Sequence, residues 1–318
     1  MGMLSPAILG IEGAKLSECE RDLFGAHRPL GYILFARNCI DPQQLISLIA
    51  SLKELHADYE PLILVDQEGG RVARLREPHW ICPPAPKTFA DIAAREGIIV
   101  AQQATYDHSV ISAKLLTSLG FNVNCVPMAD VHFPFSHAII GDRAYGSTPE
   151  QIIALARSAA QGLLDHGILP VLKHIPGHGR ALADSHESLP IVNASRAELE
   201  IDFAPFRALR DLPLGMTAHI TYTALDAEAP ATLSSHVIRI IRKDIGFTNP
   251  LMTDDLCMNA LGGSMSERAQ RSLDAGCDIL LHCNGIYKEM LEICTVAQSY
   301  LVDLSFLHHI HNARTTPT

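Results

Sequence analysis

Three segments of this chain gather residue types that do chemistry on polar substrates. The densest is KHIPGHGRALADSHESLP at 173–190, which holds Lys173, three histidines (His174, His178, His186) and Asp184 without helical or strand periodicity. A long structureless stretch inside a compact domain is commonly functional. Asp184 and His186 are two residues apart, so in extended backbone their side chains share a face. A carboxylate beside an imidazole orients the ring and stabilises its protonated form, which suits a general acid near neutral pH. The second segment, PLMTDDLCMNA at 250–260, places Asp254 at the end of an apolar run, among Leu251, Met252, Leu256 and Met258. A carboxylate only partly solvated there is available to attack an electrophilic carbon, while Asp255 reads as a cap for the next element. The third, LVDQEGGRVARL at 64–75, offers Asp66 as an acceptor for two hydroxyl donors, a turn at Gly69–Gly70, and Arg71 or Arg74 returning toward it. It lacks the Lys-Ser/Thr pair of a phosphate cradle. Taken singly, each segment also fits solvated loop charges; their joint placement argues for a site.

That placement follows from the elements. Short apolar runs at 7–11, 31–36, 62–65, 123–128, 170–174, 215–221, 250–253 and 278–282 are continuous rather than alternating, as strands of a parallel sheet covered on both faces must be. Helical patterns lie between them, at 16–25, 98–119, 149–164, 196–210, 234–244, 266–275 and 286–299. Another begins at Asp41, an N-cap followed by Pro42 and by Gln44 to close a capping box, with Leu45, Leu48, Leu52 and Leu55 on one face. Gly276 reads as a C′ glycine. Eight strand-helix units in a chain of 318 residues predict an α/β fold, a single (β/α)8 TIM barrel. The catalytic barrel is expected over 1–300, with a polar tail over 301–318. A doubly wound sheet is the rival, but the Gly-rich first turn that usually marks it is missing. Asp66, Asp130, Arg143, Lys173, His174 and Asp254 follow or end strand runs and His219 lies within the sixth, toward the pole where barrel enzymes carry their sites.

Composition narrows the function. A formal charge of −10 and no Lys/Arg cluster argue against nucleic-acid binding. No run approaches the roughly 18 apolar residues of a membrane span. The first residues, MGMLSPAILGIEGAKL, lack the basic start and long apolar core of a secretory signal, so a cytoplasmic location is expected. Eight dispersed cysteines without a CxxC pair read as reduced, buried thiols rather than a disulfide frame or a zinc site. No cofactor and no metal are expected, and nothing in the sequence selects an oligomeric state.

Together, KHIPGHG…DSH, TDDL, LVDQEGGRVARL and ILFARN (33–38) resemble the β-N-acetylhexosaminidases of glycoside hydrolase family 3, in particular the bacterial single-domain type of peptidoglycan recycling. The likeness runs in order from about residue 8 to 285. It implies a (β/α)8 barrel, with Asp254 as nucleophile, His186 as general acid/base and Asp184 as its orienting partner. Asp66, Arg74, Arg143, Lys173 and His174 match positions that hold the terminal N-acetylglucosamine. Arg180 departs from the Asp or Ala expected after GHG. The implied reaction is retaining removal of N-acetylglucosamine from peptidoglycan fragments (muropeptides), without cofactor, on a loop expected to close over substrate. Three other readings stand beside it. The same residues would serve a phosphorylase; His174, His178, Asp184 and His186 would be ligands of a metal-dependent hydrolase; and a barrel that binds sugar without turnover needs neither.

Overall fold

The computed structural model describes residues 2–185 and 188–313. The strands are β1 Met3–Gly10, β2 Pro29–Leu34, β3 Leu62–Val65, β4 Val123–Asn124, β5 Leu169–Ile175, β6 Ile191–Val192, β7 Leu214–Thr217, β8 Thr221–Tyr222, β9 Leu251–Asp255, β10 Ile279–His282 and β11 Val302–Asp303. The helices are α1 Glu18–His27, α2 Pro42–Glu54, α3 Lys87–Glu96, α4 Ile98–Leu119, α5 Pro149–Leu164, α6 Arg196–Ala208, α7 Ser235–Ile240, α8 Met265–Ala275, α9 Tyr287–Ala297 and α10 Leu304–Asn312. Eight parallel strands run in the order β1-β2-β3-β4-β5-β7-β9-β10, and β10 pairs back onto β1 to close the barrel. The expected (β/α)8 fold is the one observed, with each of the eight apolar runs supplying a barrel strand.

Strand alternation divides the apolar residues between two cores. Leu62 and Leu64 of β3, Leu169 and Val171 of β5, and Ile279 and Leu281 of β10 fill the barrel interior. Ile63, Val65, Leu172 and Leu280 face the helical layer. Helix starts obey local chemistry. Ser17, Ser195 and Ser264 each close a capping box with the glutamate three residues on. Asp41 accepts the Gln44 N–H at 2.9 Å behind Pro42. The Gln44 side chain, however, accepts from Ile40 N–H rather than from the cap residue, because its amide also donates to the carbonyls of Ala14 and Asn38. Gly276 ends α8 in the left-handed region, φ 109°.

Several expectations shift. The run at 123–128 is a two-residue strand, β4, because Pro127 has no N–H to donate; the carbonyls of Val126 and Pro127 still accept from β5. The run at 215–221 splits, so that β8 pairs with β6 outside the barrel. Helix α3 had no sequence signal strong enough to find it, since Phe89 is its one buried residue. The expected polar tail contains β11, antiparallel to β1, and α10, whose Leu307 and Ile310 are buried in the barrel-interior core. The cysteines are all free as expected, but Cys19 and Cys82 are exposed. Among the described residues no helix is long and apolar enough to cross a membrane.

Since Leu307 closes the interior core, Leu307→Ala should destabilise the protein by about 3 kcal/mol, read from the midpoint of urea unfolding. A change within about 0.5 kcal/mol, the range of surface substitutions, would mean the helix is a bystander.

Candidate functional site

At the carboxyl ends of the strands the interior core gives way to charge. The alternation that turns Leu169 and Val171 inward also turns Lys173 inward, and the one that turns Met252 inward does the same for Asp254. Both line a pocket of about 220 Å³, together with Asp66, Arg74, Arg143 and His174.

The wall nearest β3 is a row of alternating charges. Asp66 accepts from Arg74 at 3.2 Å and from Lys173 at 2.8 Å. Lys173 lies 2.6 Å from Glu68, and Glu68 takes both Nε and Nη2 of Arg143 at 2.8 Å. Arg74 reaches Asp66 because Gln67 ties down the loop: its Oε1 accepts the N–H groups of Arg74 and Leu75. Gly69 makes the turn possible at φ 111°, where a Cβ would meet the Pro84 carbonyl oxygen at 2.0 Å. Arg71, the other candidate to return, turns instead to Asp142 and to the carbonyls of Ala138 and Ile139. Burial pushes the Glu68 carboxyl up, but Arg143 and Lys173 outweigh it and hold the group at about 2. Burial likewise opposes the charge on Lys173, and Asp66 and Glu68 overcome it, so its pKa is raised.

Beside this row stands Asp130, fully buried in the loop after β4. One oxygen meets His174 Nδ1 at 2.7 Å and the other accepts the His178 N–H at 2.6 Å. Burial raises Asp130, and the neighbouring His174 more than offsets it, leaving the carboxyl below its usual range. His178 itself is lowered to about 4, chiefly by burial and then by His174, so its ring is neutral at physiological pH.

Asp254 closes the floor, only 6% exposed. Its Oδ1 accepts the Asp255 N–H at 2.8 Å. Burial works against its charge, but His174, His219, that N–H and Lys173 leave its pKa lowered. His219 holds the backbone beneath it, meeting the Asp255 carbonyl through Nε2 at 2.9 Å and Thr232 Oγ1 through Nδ1 at 2.7 Å. Burial lowers His219, and the tautomer that satisfies both contacts donates from Nε2 and accepts at Nδ1. Asp255, expected to cap the next element, does not do so, since Ser264 caps α8; its Oδ1 accepts the N–H groups of Cys257 and Cys283 and ties the end of β9 to the end of β10.

The loop after β5 enters from the side. Tyr222 O–H donates to the Gly177 carbonyl at 2.7 Å, Ser136 Oγ to that of Gly179 at 2.6 Å, and His137 N–H to that of Ala181 at 3.2 Å. Arg180, which departs from the family pattern, stacks its guanidinium 4.3 Å from the Phe133 ring centroid and donates to Asp202 at 2.6 Å. Ser185 lines the same pocket as Asp254, and its carbonyl accepts the Ala260 N–H at 3.2 Å. Asp184 precedes it, its carbonyl accepting from Ser188. His186 lies outside the described residues.

The structure therefore brings Asp66, Arg74, Arg143, Lys173, His174 and Asp254 to one cavity, with Ser185 bringing the Asp184 loop to its edge. His174, His178 and Asp184 do not converge as a metal-ligating group among the described residues. Sequence reasoning placed Glu68, Asp130 and His219 at or near strand ends but left all three without roles. Their position at strand ends was the available signal, but the partners of Asp130 and Glu68 lie 44 and 75 residues away.

A family model described as the glycosyl hydrolase family 3 N terminal domain matches residues 9–305. A β-hexosaminidase of Alkalilimnicola ehrlichii is 40% identical over 89% of this chain and 81% of its own length. NagZ from Neisseria gonorrhoeae, solved in complex with N-trifluoroacetyl-D-glucosamine, superposes with a TM-score of 0.84 at 30% identity over 98% of both chains. A β-N-acetylglucosaminidase of glycoside hydrolase family 3 from Paenibacillus sp. gives a TM-score of 0.85 at 30% identity, with 98% of this chain covering 60% of that one.

The Glu68 pairing has a pH signature. A carboxyl held below its unfolded pKa stabilises the fold above roughly pH 4.5 and loses that contribution as pH falls toward about 2. Glu68→Gln should lower stability at neutral pH by roughly 3 kcal/mol and flatten the acid limb of a stability-versus-pH curve. An unchanged acid limb would show that Glu68 is not the group titrating there.

Proposed function

Since the chain belongs to glycoside hydrolase family 3 and is a glycoside hydrolase of the β-N-acetylhexosaminidase type, we propose that it is a retaining exo-β-N-acetylglucosaminidase. In this reading it removes the terminal, non-reducing N-acetylglucosamine from muropeptides in the cytoplasm. The observation that carries it is the sharing of one cavity by the ionised Asp254 and the edge of the Asp184 loop. Nucleophile and proton donor would otherwise have to work from different faces of the barrel.

Asp254 attacks the anomeric carbon as the glycosidic C–O bond breaks, and protonated His186 gives its proton to the departing oxygen. Water then attacks the glycosyl-enzyme, His186 takes its proton, and Asp254 leaves as a carboxylate. Asp184 orients the imidazole and steadies its charged form. Most retaining glycosidases use two carboxylates for these tasks, but an imidazole that titrates near pH 6.5 serves as acid and then base equally well. Asp66, Arg74, Arg143, Lys173 and His174 bind the sugar. Asp66 accepts hydroxyl protons while Arg74 and Lys173 fix its own orientation; Glu68 does the same for Arg143. A cavity below the roughly 300–1,000 Å³ of drug-sized sites suits one terminal sugar rather than an internal stretch of polymer.

Two variants test the reading with aryl β-N-acetylglucosaminides and a muropeptide, each with and without phosphate. Asp254→Asn should lower kcat by about 10⁴-fold or more. His186→Ala should cost about 10²–10⁴-fold with the muropeptide and far less with a good aryl leaving group. Equal losses on both substrates would remove His186 from proton transfer, and a glycosyl phosphate product would reassign the reaction to phosphorolysis.

A further inference from the structure

Behind the pocket wall, three side chains from separate elements meet. β10 alternates, turning Leu281 and Cys283 toward the barrel interior and His282 outward to the helical layer. There His282 Nε2 lies 3.1 Å from an oxygen of Glu289 in the first turn of α9. Cys257, in the loop after β9, brings its sulfur to 3.9 Å from that same oxygen. The ligand atoms of the three all lie within 4.8 Å of one another. A tetrahedral zinc ion with Zn–S near 2.3 Å and Zn–N or Zn–O near 2.0 Å spaces its donors roughly 3.3–3.6 Å apart, and the two distances bracket that value. A sulfur 3.9 Å from a carboxylate oxygen suits two ligands of one cation better than a direct hydrogen bond.

The surroundings are arranged in the same sense. Asn284 donates to the Glu289 oxygen at 2.6 Å and is itself held by the Ile286 N–H at 2.9 Å, as an outer partner that aims a ligating carboxylate would be. Asp255 Oδ1 gathers the N–H groups of Cys257 and Cys283, so both ligand-bearing segments are set by the backbone before any ion arrives. We propose that Cys257, His282 and Glu289 form a zinc site with its fourth position open to water. A thiolate, an imidazole and a carboxylate are donors that zinc accepts together, whereas the sulfur excludes magnesium and calcium. Bound there, the ion would clamp the loop after β9 to the end of β10 and to α9, directly behind Asp255.

The test uses the full-length protein stripped by a chelator and dialysed. Cobalt should give a thiolate-to-cobalt charge-transfer band, and calorimetry should give one zinc equivalent; at hundredfold excess over Kd, zinc should raise the Tm by about 5 °C. Cys257→Ser should lose the band while Cys283→Ser, whose thiol faces the pocket, keeps it. Asn284→Ala leaves the three ligands in place and should weaken zinc binding about 10–100-fold, which keeps the proposal testable if Cys257→Ser folds poorly. Absence of the band in the wild type, its survival in Cys257→Ser, or unaltered zinc affinity in Asn284→Ala would each overturn the site.

Discussion

Two carboxylates and three cations, Arg74–Asp66–Lys173–Glu68–Arg143, share one wall of the pocket within hydrogen-bonding distance of each other. Charges removed from water at this depth are tolerable only when every partner is in place. That requirement fixes much of the barrel's upper rim. The β3 loop must turn sharply to return Arg74, β5 must end with Lys173 inward, and the turn Gly141–Arg143 must bring Arg143 against Glu68. These five groups sum to one net positive charge, and Asp254 and Asp255, which line the same pocket, bring the formal sum to −1. The pocket is polar and nearly neutral as a whole, which favours hydroxyl-rich ligands over strongly charged ones.

The fold was legible because each barrel strand is a short continuous apolar run, and because the helix start at Asp41 and the stop at Gly276 carry their own local signals. What escaped notice lacked such a signature. Helix α3 buries little, and α10 is masked by polar residues around Leu307 and Ile310. In the site, Asp66, Lys173, His174 and Asp254 stood out by residue type at strand ends, and Arg74 by the glycine turn before it. Glu68 did not, because a glutamate before two glycines reads as loop solvation until Arg143 is seen 75 residues away against it.

Distance along the chain hides the Cys257–His282–Glu289 cluster for the same reason. Spacing rules find metal ligands that lie close in sequence, and here the three come from two neighbouring strand ends and a helix. His219 and Asp130 are comparable cases. Each is a buried side chain that fixes the backbone or ring of another group, Asp255 in one case and His174 with His178 in the other. Such roles emerge only when the sheet has brought the partners together.

The seam between β1 and its neighbours has a bearing on how the molecule comes to be made. β1 pairs with β10 through Ala7 and Leu280 and with β11 through Met3 and Asp303, and α10 then stops the interior core from below. Residues 11–278 must leave the ribosome before the first strand can pair with β10, and residues 11–301 before it can pair with β11. Loops this long are entropically slow to close, so the nascent chain exposes an unmatched β1 edge throughout synthesis, the kind of intermediate on which chaperones act.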